Sequence, residues 1–277
     1  MVKIITDSST LYTVEEAREK GFEAVPLCVS IGNLEGRDLQ VDMNDFYQRI
    51  EKGEVPRSSQ PPIGEVLDLY EAYNECEIIN IAMADGLSGT YQSACGAREM
   101  VDNKDKITVI NSKTLCGPHR YMVEKAQKMK EEGCSAKEII AWLEKAVEKA
   151  ESFLIPQDFD FLRRGGRLTP MAATFGSVLK LKPIMTQTKD GKRLDKFGVK
   201  RTMKTAVNAV IDHLKKKNID HRHILYVSHA NAIEDAKKVI AQLKEAFGDV
   251  EIHMLELGAA FVTQGGPKCV AIQYIEK

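Results

Sequence analysis

Short apolar runs alternate with amphipathic stretches through the first half of the chain. Residues 2–6 form an apolar run of strand length, closed by the polar Asp7-Ser8-Ser9. Thr13 then predicts the N-cap of a short helix reaching about Lys20. Residues 24–31, rich in β-branched and apolar side chains, predict a strand, and residues 44–52 a helix. After a loop from Pro56 to Pro62, Ile63, Val66, Leu67 and Tyr70 recur at helical spacing. Residues 77–83 and 107–110 predict two more strands, with a helix from about Thr90 to Val101 between them. Two long amphipathic helices are expected near 117–131 and 135–150, the second with Ile139, Leu143 and Val147 on its inner stripe. Strands alternating with helices imply a parallel sheet with crossover connections.

The rhythm changes after about residue 151. Residues 153–156 start a strand, Arg163-Arg164-Gly165-Gly166-Arg167 reads as a basic glycine turn, and 169–181 as a helix. Residues 183–188 and 193–197 flank Asp190-Gly191, a hairpin signal. A helix over 199–217, a strand over 223–229, a helix over 232–247 and strands over 251–255 and 269–275 complete the pattern. The expected fold class is therefore α/β in two domains. Residues 1–151 form an N-terminal domain on a parallel sheet, and 152–277 a C-terminal domain on a mixed or antiparallel one.

Composition narrows the function classes. At 277 residues, 43% hydrophobic and 29% charged, the chain can bury a sizeable core and is not disordered. A net charge of −1 argues against generic nucleic-acid binding. Cys28, Cys76, Cys95, Cys116, Cys134 and Cys269 form neither a Cys-x-x-Cys pair nor a zinc-finger spacing, and read as reduced structural thiols of a cytoplasmic protein. The first residues read as a strand entering a turn rather than a signal peptide, and no apolar run is long enough to span a bilayer. G-x-x-x-x-G-K-[ST], G-x-G-x-x-G and H-E-x-x-H are missing, so no cofactor and no metal is expected.

Candidate chemistry lies in two serine loops, Ser58-Ser59-Gln60-Pro61-Pro62 and Gly86-Leu87-Ser88-Gly89-Thr90-Tyr91, each expected where a helix begins. Helix starts carry unpaired N–H groups and a positive dipole end, which suit a carboxylate or phosphate. Taken alone, Ser88 reads as a helix cap, an anion binder or a nucleophile, and the Ser58-Ser59 segment as a proline-started helix or half of an anion site. Cys116 with His119 offers a thiol nucleophile as an alternative. The basic stretch holding Arg163, Arg164, Arg167, Lys192, Arg193, Lys196, Lys200, Arg201 and Lys204 reads as solvated surface or as a dock for an acidic partner.

These residues resemble the DegV family of bacterial fatty-acid-binding proteins along essentially the whole chain. The resemblance runs through Ile4-Ile5-Thr6-Asp7-Ser8-Ser9, the Ser-Ser-Gln-Pro loop, Leu87-Ser88-Gly89-Thr90-Tyr91-Gln92-Ser93-Ala94, Gly166-Arg167-Leu168 and Lys182-Pro183-Ile184. It implies two α/β domains with a long-chain fatty acid bound between them and its tail in an apolar tunnel. The carboxylate would be held by Ser58, Ser59, Ser88, Gly89 and Gln264, with no catalytic residue. It further implies a carrier that presents the carboxylate to a separate fatty acid kinase, whose acyl-phosphate product enters phospholipid synthesis. Arg167, Lys200 and Arg201 are the expected docking residues. Two departures stand out: serine replaces the family's threonine at Ser58, and Gln264 stands where a histidine is usual, with Lys268 replacing a glycine after Pro267. Gln264 can donate a hydrogen bond but cannot become cationic. The competing classes are a stand-alone acyl or phosphoryl hydrolase or transferase using Ser88, and a lipid sensor or adaptor.

Overall fold

A computed structural model describes residues 1–174 and 181–277. The chain divides into two compact units, Met1–Glu148 and Lys149–Lys277. The first contains, in order, β1 (Val2–Asp7), α1 (Val14–Glu19), β2 (Glu23–Val25), β3 (Cys28–Ile31), β4 (Leu34–Arg37), α2 (Met43–Glu51), β5 (Arg57–Ser59), α3 (Ile63–Ala72), β6 (Glu77–Ala82), α4 (Thr90–Arg98), β7 (Ile107–Asn111), α5 (Cys116–Glu131) and α6 (Ala136–Ala146).

Its main sheet is parallel, in the order β2-β1-β6-β7. The near-continuous apolar runs of β1 and β6 follow from burial on both faces. Ile5 and Ile78 pack with Val66 and Tyr70 of α3 and Ala97 of α4, whereas Thr6, on the opposite side by strand alternation, meets His119 of α5. The strand order reverses between β1 and β6, and open α/β sheets place ligands at the carboxyl ends of such a pair. A second, antiparallel sheet of order β4-β3-β5 was not expected. It forms because the apolar run over 24–31 breaks at Pro26-Leu27: β2 pairs with β1, while β3 joins β4 and β5. Proline has no N–H to give to a ladder.

The second unit contains β8 (Ala150–Ile155), α7 (Phe159–Gly165), α8 (Pro170–Ala173), β9 (Lys182–Gln187), β10 (Leu194–Lys200), α9 (Met203–Lys216), β11 (His223–His229), α10 (Ile233–Phe247), β12 (Glu251–Glu256), α11 (Ala259–Gly265) and β13 (Val270–Glu276). Its mixed sheet runs β10-β9-β8-β13-β11-β12, antiparallel except where β11 meets β12. One core joins Phe153, Leu225 and Ile272 of the sheet to Val210 of α9 and Val239 and Leu243 of α10. A smaller cluster of Phe159, Leu162, Leu168, Ala172 and Met185 lies under α7 and α8.

Four expectations change at element ends. The helix expected over 199–217 starts at Met203, because Val199 and Lys200 still pair with Pro183 and Lys182 and Thr202 caps the helix. Arg163, Arg164 and Gly165 finish α7 instead of forming a turn; Gly166, with φ +71°, closes it in the left-handed conformation open to glycine. The helix expected over 135–150 ends at Ala146, and Ala150 already belongs to β8. Of the helix expected over 169–181, α8 covers the start, and 175–180 lie outside the described residues. The hairpin at Asp190-Gly191 is present, with Gly191 N–H donating to the Thr188 carbonyl at 2.8 Å.

Candidate functional site

The loop between β6 and α4 lies at the carboxyl end of the parallel sheet, beside the point where the strand order reverses. Asp7, ending β1, ties the two neighbouring strand ends together: its carboxylate accepts from Ser9 N–H and Met83 N–H, each at 2.9 Å. Farther along this loop, Ser88 Oγ is 2.8 Å from Thr90 Oγ1 and accepts from Thr90 N–H at 3.3 Å. The hydroxyl thus already satisfies one of the unpaired donors at the start of α4. Its partners are a hydroxyl and an amide, neither of them a general base.

Ser58 and Ser59 are placed differently from the sequence expectation. They lie in β5, an edge strand paired with β3 through Ser58 opposite Val29 and Ser59 opposite Cys28. The helix begins only at Ile63, with Pro62 as its cap and no side-chain cap bond. Successive strand residues point to opposite faces, so the two hydroxyls diverge. Ser58 is half-buried and Ser59 exposed. The two loops nevertheless meet through Gln60. A Cβ built on Gly89 would stand 2.1 Å from Gln60 Oε1, so the carboxamide lies directly on the Gly89 backbone. Residue spacing did not reveal this contact, although Gln60 lies within the same short motif.

The Cys116–His119 alternative finds no geometric support. Both ring nitrogens of His119 are engaged elsewhere: Nδ1 with Ser9 Oγ at 2.7 Å, Nε2 with the Ile81 carbonyl at 3.0 Å and Thr6 Oγ1 at 3.2 Å. The arrangement fits a neutral ring whose Nε2–H donates to the carbonyl and whose Nδ1 accepts from Ser9. His119 is 0% exposed, and burial pushes its pKa below the usual histidine value. Cys116 is buried at the start of α5. None of the six cysteines is in a disulfide, and burial pushes the thiol of Cys269 up to about 12, which keeps it protonated and unreactive.

In the second unit, Gln264 sits in the last turn of α11 and Gly165 at the end of α7. A Cβ on Gly165 would stand 2.0 Å from Gln264 Oε1, and Arg167 Nη1 donates to the Gly165 carbonyl. Gln264 and Arg167 therefore converge on one residue. Lys200 and Arg201 lie apart from Arg167. Arg167 flanks the Leu168–Leu194 bridge at the start of β10, and Lys200 ends that strand. At roughly 3.3 Å per residue the two ends are about 20 Å apart. Among the described residues, no cluster of His, Cys, Asp or Glu could hold a metal ion, and no helix is long and apolar enough to cross a membrane.

This arrangement, parallel sheet and serine loops first and mixed sheet second, has close relatives. A family model described as an uncharacterised protein of the DegV family matches residues 1–277. Protein DegV of Bacillus subtilis is 34% identical over 280 residues, covering 98% of each chain. The crystal structure of DegV from Bacillus subtilis, a fatty acid binding protein, superposes with a TM-score of 0.86 at 31% identity, covering 100% of this chain and 99% of that one. A fatty-acid-binding DegV family protein from Thermus thermophilus shares the fold at a TM-score of 0.90 and 24% identity, with 100% and 99% covered. The match over the full length shows that the chain belongs to the DegV family.

Proposed function

We propose that the protein binds a long-chain fatty acid, holds its carboxylate with uncharged donors and presents it to a separate fatty acid kinase. The observation that carries this reading is the meeting of the two serine loops at Gly89, which puts Ser58 and Ser88 on segments that touch. That the Bacillus subtilis relative is a fatty acid binding protein supports the ligand class. Ser88, the Gly89 N–H and one hydroxyl of the Ser58–Ser59 pair are the assigned donors. The divergence of Ser58 from Ser59 means that one of the pair contacts the ligand directly, while the other shapes the strand.

Most of the affinity comes from the tail. At about 0.8 kcal/mol per buried methylene, a dozen methylenes contribute on the order of 10 kcal/mol before ordering costs. The head group then needs hydrogen bonds, because a bare buried charge is costly. Hydroxyl and amide donors supply them without the two-pronged clasp of an arginine, leaving an oxygen free to attack a phosphoryl group. ATP belongs to the kinase in this scheme, and the protein itself needs no cofactor. The bonding of Ser88 to Thr90 favours this carrier role over an enzyme with a serine nucleophile.

The test is the Ser58→Ala, Ser88→Ala double variant. Fatty-acid affinity, measured by calorimetry, should fall by about tenfold or more with the fold intact. Unchanged affinity would show that the head group lies elsewhere. Mass spectrometry of lipid released from the denatured wild-type protein identifies the acyl chain.

A further inference from the structure

Gln60 is not among the donors assigned so far. It lies one residue beyond Ser59, and its carboxamide lies on Gly89, one residue beyond Ser88. A Cβ on Gly89 would be 2.1 Å from Gln60 Oε1, closer than real atoms approach, and 3.3 Å from its Cδ. The backbone at Gly89 has φ −75° and ψ 2°, a conformation accessible to any L-residue. Backbone freedom therefore gives no reason for glycine here; the approach of Gln60 does. The same segments stay close about two turns on, where a Cβ at Gly96 of α4 would be 3.9 Å from Ile63 Cδ1 of α3. The carboxamide carries two N–H donors, a carbonyl acceptor and no net charge. It therefore spans the loops as a group able to serve an anion without neutralising it.

We infer that Gln60 is a further head-group residue, whose uncharged amide bridges the two serine loops and selects an ionised carboxylate over a neutral head group. The inference rests on the fatty-acid reading above. Gln60→Glu keeps the side-chain shape and replaces donors with a negative charge, which repels a carboxylate ligand. Gly89→Ala leaves Gln60 in place but evicts its carboxamide. Because the evicted atoms are the far end of a flexible side chain, the fold tolerates the change.

The experiment compares hexadecanoate with hexadecanol, which has the same tail and an uncharged head, on the full chain at about pH 8, where carboxylates are ionised. Melting temperatures are recorded in parallel. Gln60→Glu and Gly89→Ala should each weaken hexadecanoate binding by about tenfold and leave hexadecanol binding and the melting temperature nearly unchanged. In a Gln60→Ala background, Gly89→Ala should cost nothing further, because the contact it disturbs is gone. Undiminished hexadecanoate affinity in Gln60→Glu, additive effects of the two changes, or equal losses for acid and alcohol would each overturn the role of Gln60 while leaving the fatty-acid reading standing. Failure of the wild-type protein to bind either probe would remove the fatty-acid reading itself, and this inference with it.

Discussion

His119 is enclosed on every side, and its hydrogen bonds to Ser9 and the Ile81 carbonyl suit a neutral ring. Burial lowers its pKa, and that of His229 moves the same way for the same reason. The unfolded chain takes up a proton near the ordinary value of 6.5, while the folded protein resists until lower pH. Between those values the unfolded state binds more protons, so stability rises with pH there. It is complete above about pH 6.5 and declines as the pH falls below it. Melting temperatures should thus drop on acidification below pH 6.5, and His119→Gln should flatten the dependence, leaving the part due to His229. A profile with the same slope in that variant would contradict the assignment. At this scale, sequence reading singled out Ser88 and His119 as noteworthy but could not pair them. Their partners, Thr90 for Ser88 and Ser9, Thr6 and Ile81 for His119, include residues more than a hundred positions away. Lys268 shows the converse: its φ of +60°, a conformation that favours glycine, is visible only in the folded chain.

Elements were read best where capping chemistry and periodicity agree. Thr13 was identified as a cap from its residue type, and it closes a full capping box with Glu16. Ser135 does the same with Glu138 at the start of α6, on an exposed face where nothing else compensates. Ser135→Ala should therefore cost about 1 kcal/mol, read as a shift in the urea midpoint at constant slope. A change in midpoint too small to resolve would mean that packing of Ile139 and Leu143 alone sets the helix start. Boundaries failed where pairing partners decide. Val199 and Lys200 have helix-compatible neighbours, yet the ladder to β9 holds them extended. Ser58 and Ser59 precede prolines and look like a helix entrance, yet three residues of antiparallel pairing to β3 claim them first. α11 was missed because Ala259–Gly265 is short, ends in glycine and offers no cap of the usual type.

Across the whole molecule, charge is nearly balanced at −1, so long-range steering by net charge is weak and any docking must depend on local basic residues. Lys200 and Arg201 are exposed beside the start of α9, whereas Arg167 is half-buried and bonded to the Gly165 carbonyl. Docking of the proposed kinase should therefore respond to Arg201→Glu more than to Arg167→Glu. Acyl-phosphate formation with the kinase present should fall several-fold for Arg201→Glu, more steeply at low salt, while fatty-acid binding persists. Full activity of the reversed protein would exclude that surface. The order of apolar and amphipathic segments was sufficient to establish an α/β chain with a parallel sheet first and a mixed sheet second, because strand and helix periods are local and burial imposes them directly. The absence of nucleotide and zinc motifs was equally legible, since those chemistries need residues at fixed spacing. Which loops meet, which hydroxyls diverge, and which side chain lies on the bare backbone of Gly89 were decided only by tertiary structure. Those facts depend on strand pairing and on the approach of residues distant in the chain, and no local pattern encodes such distances.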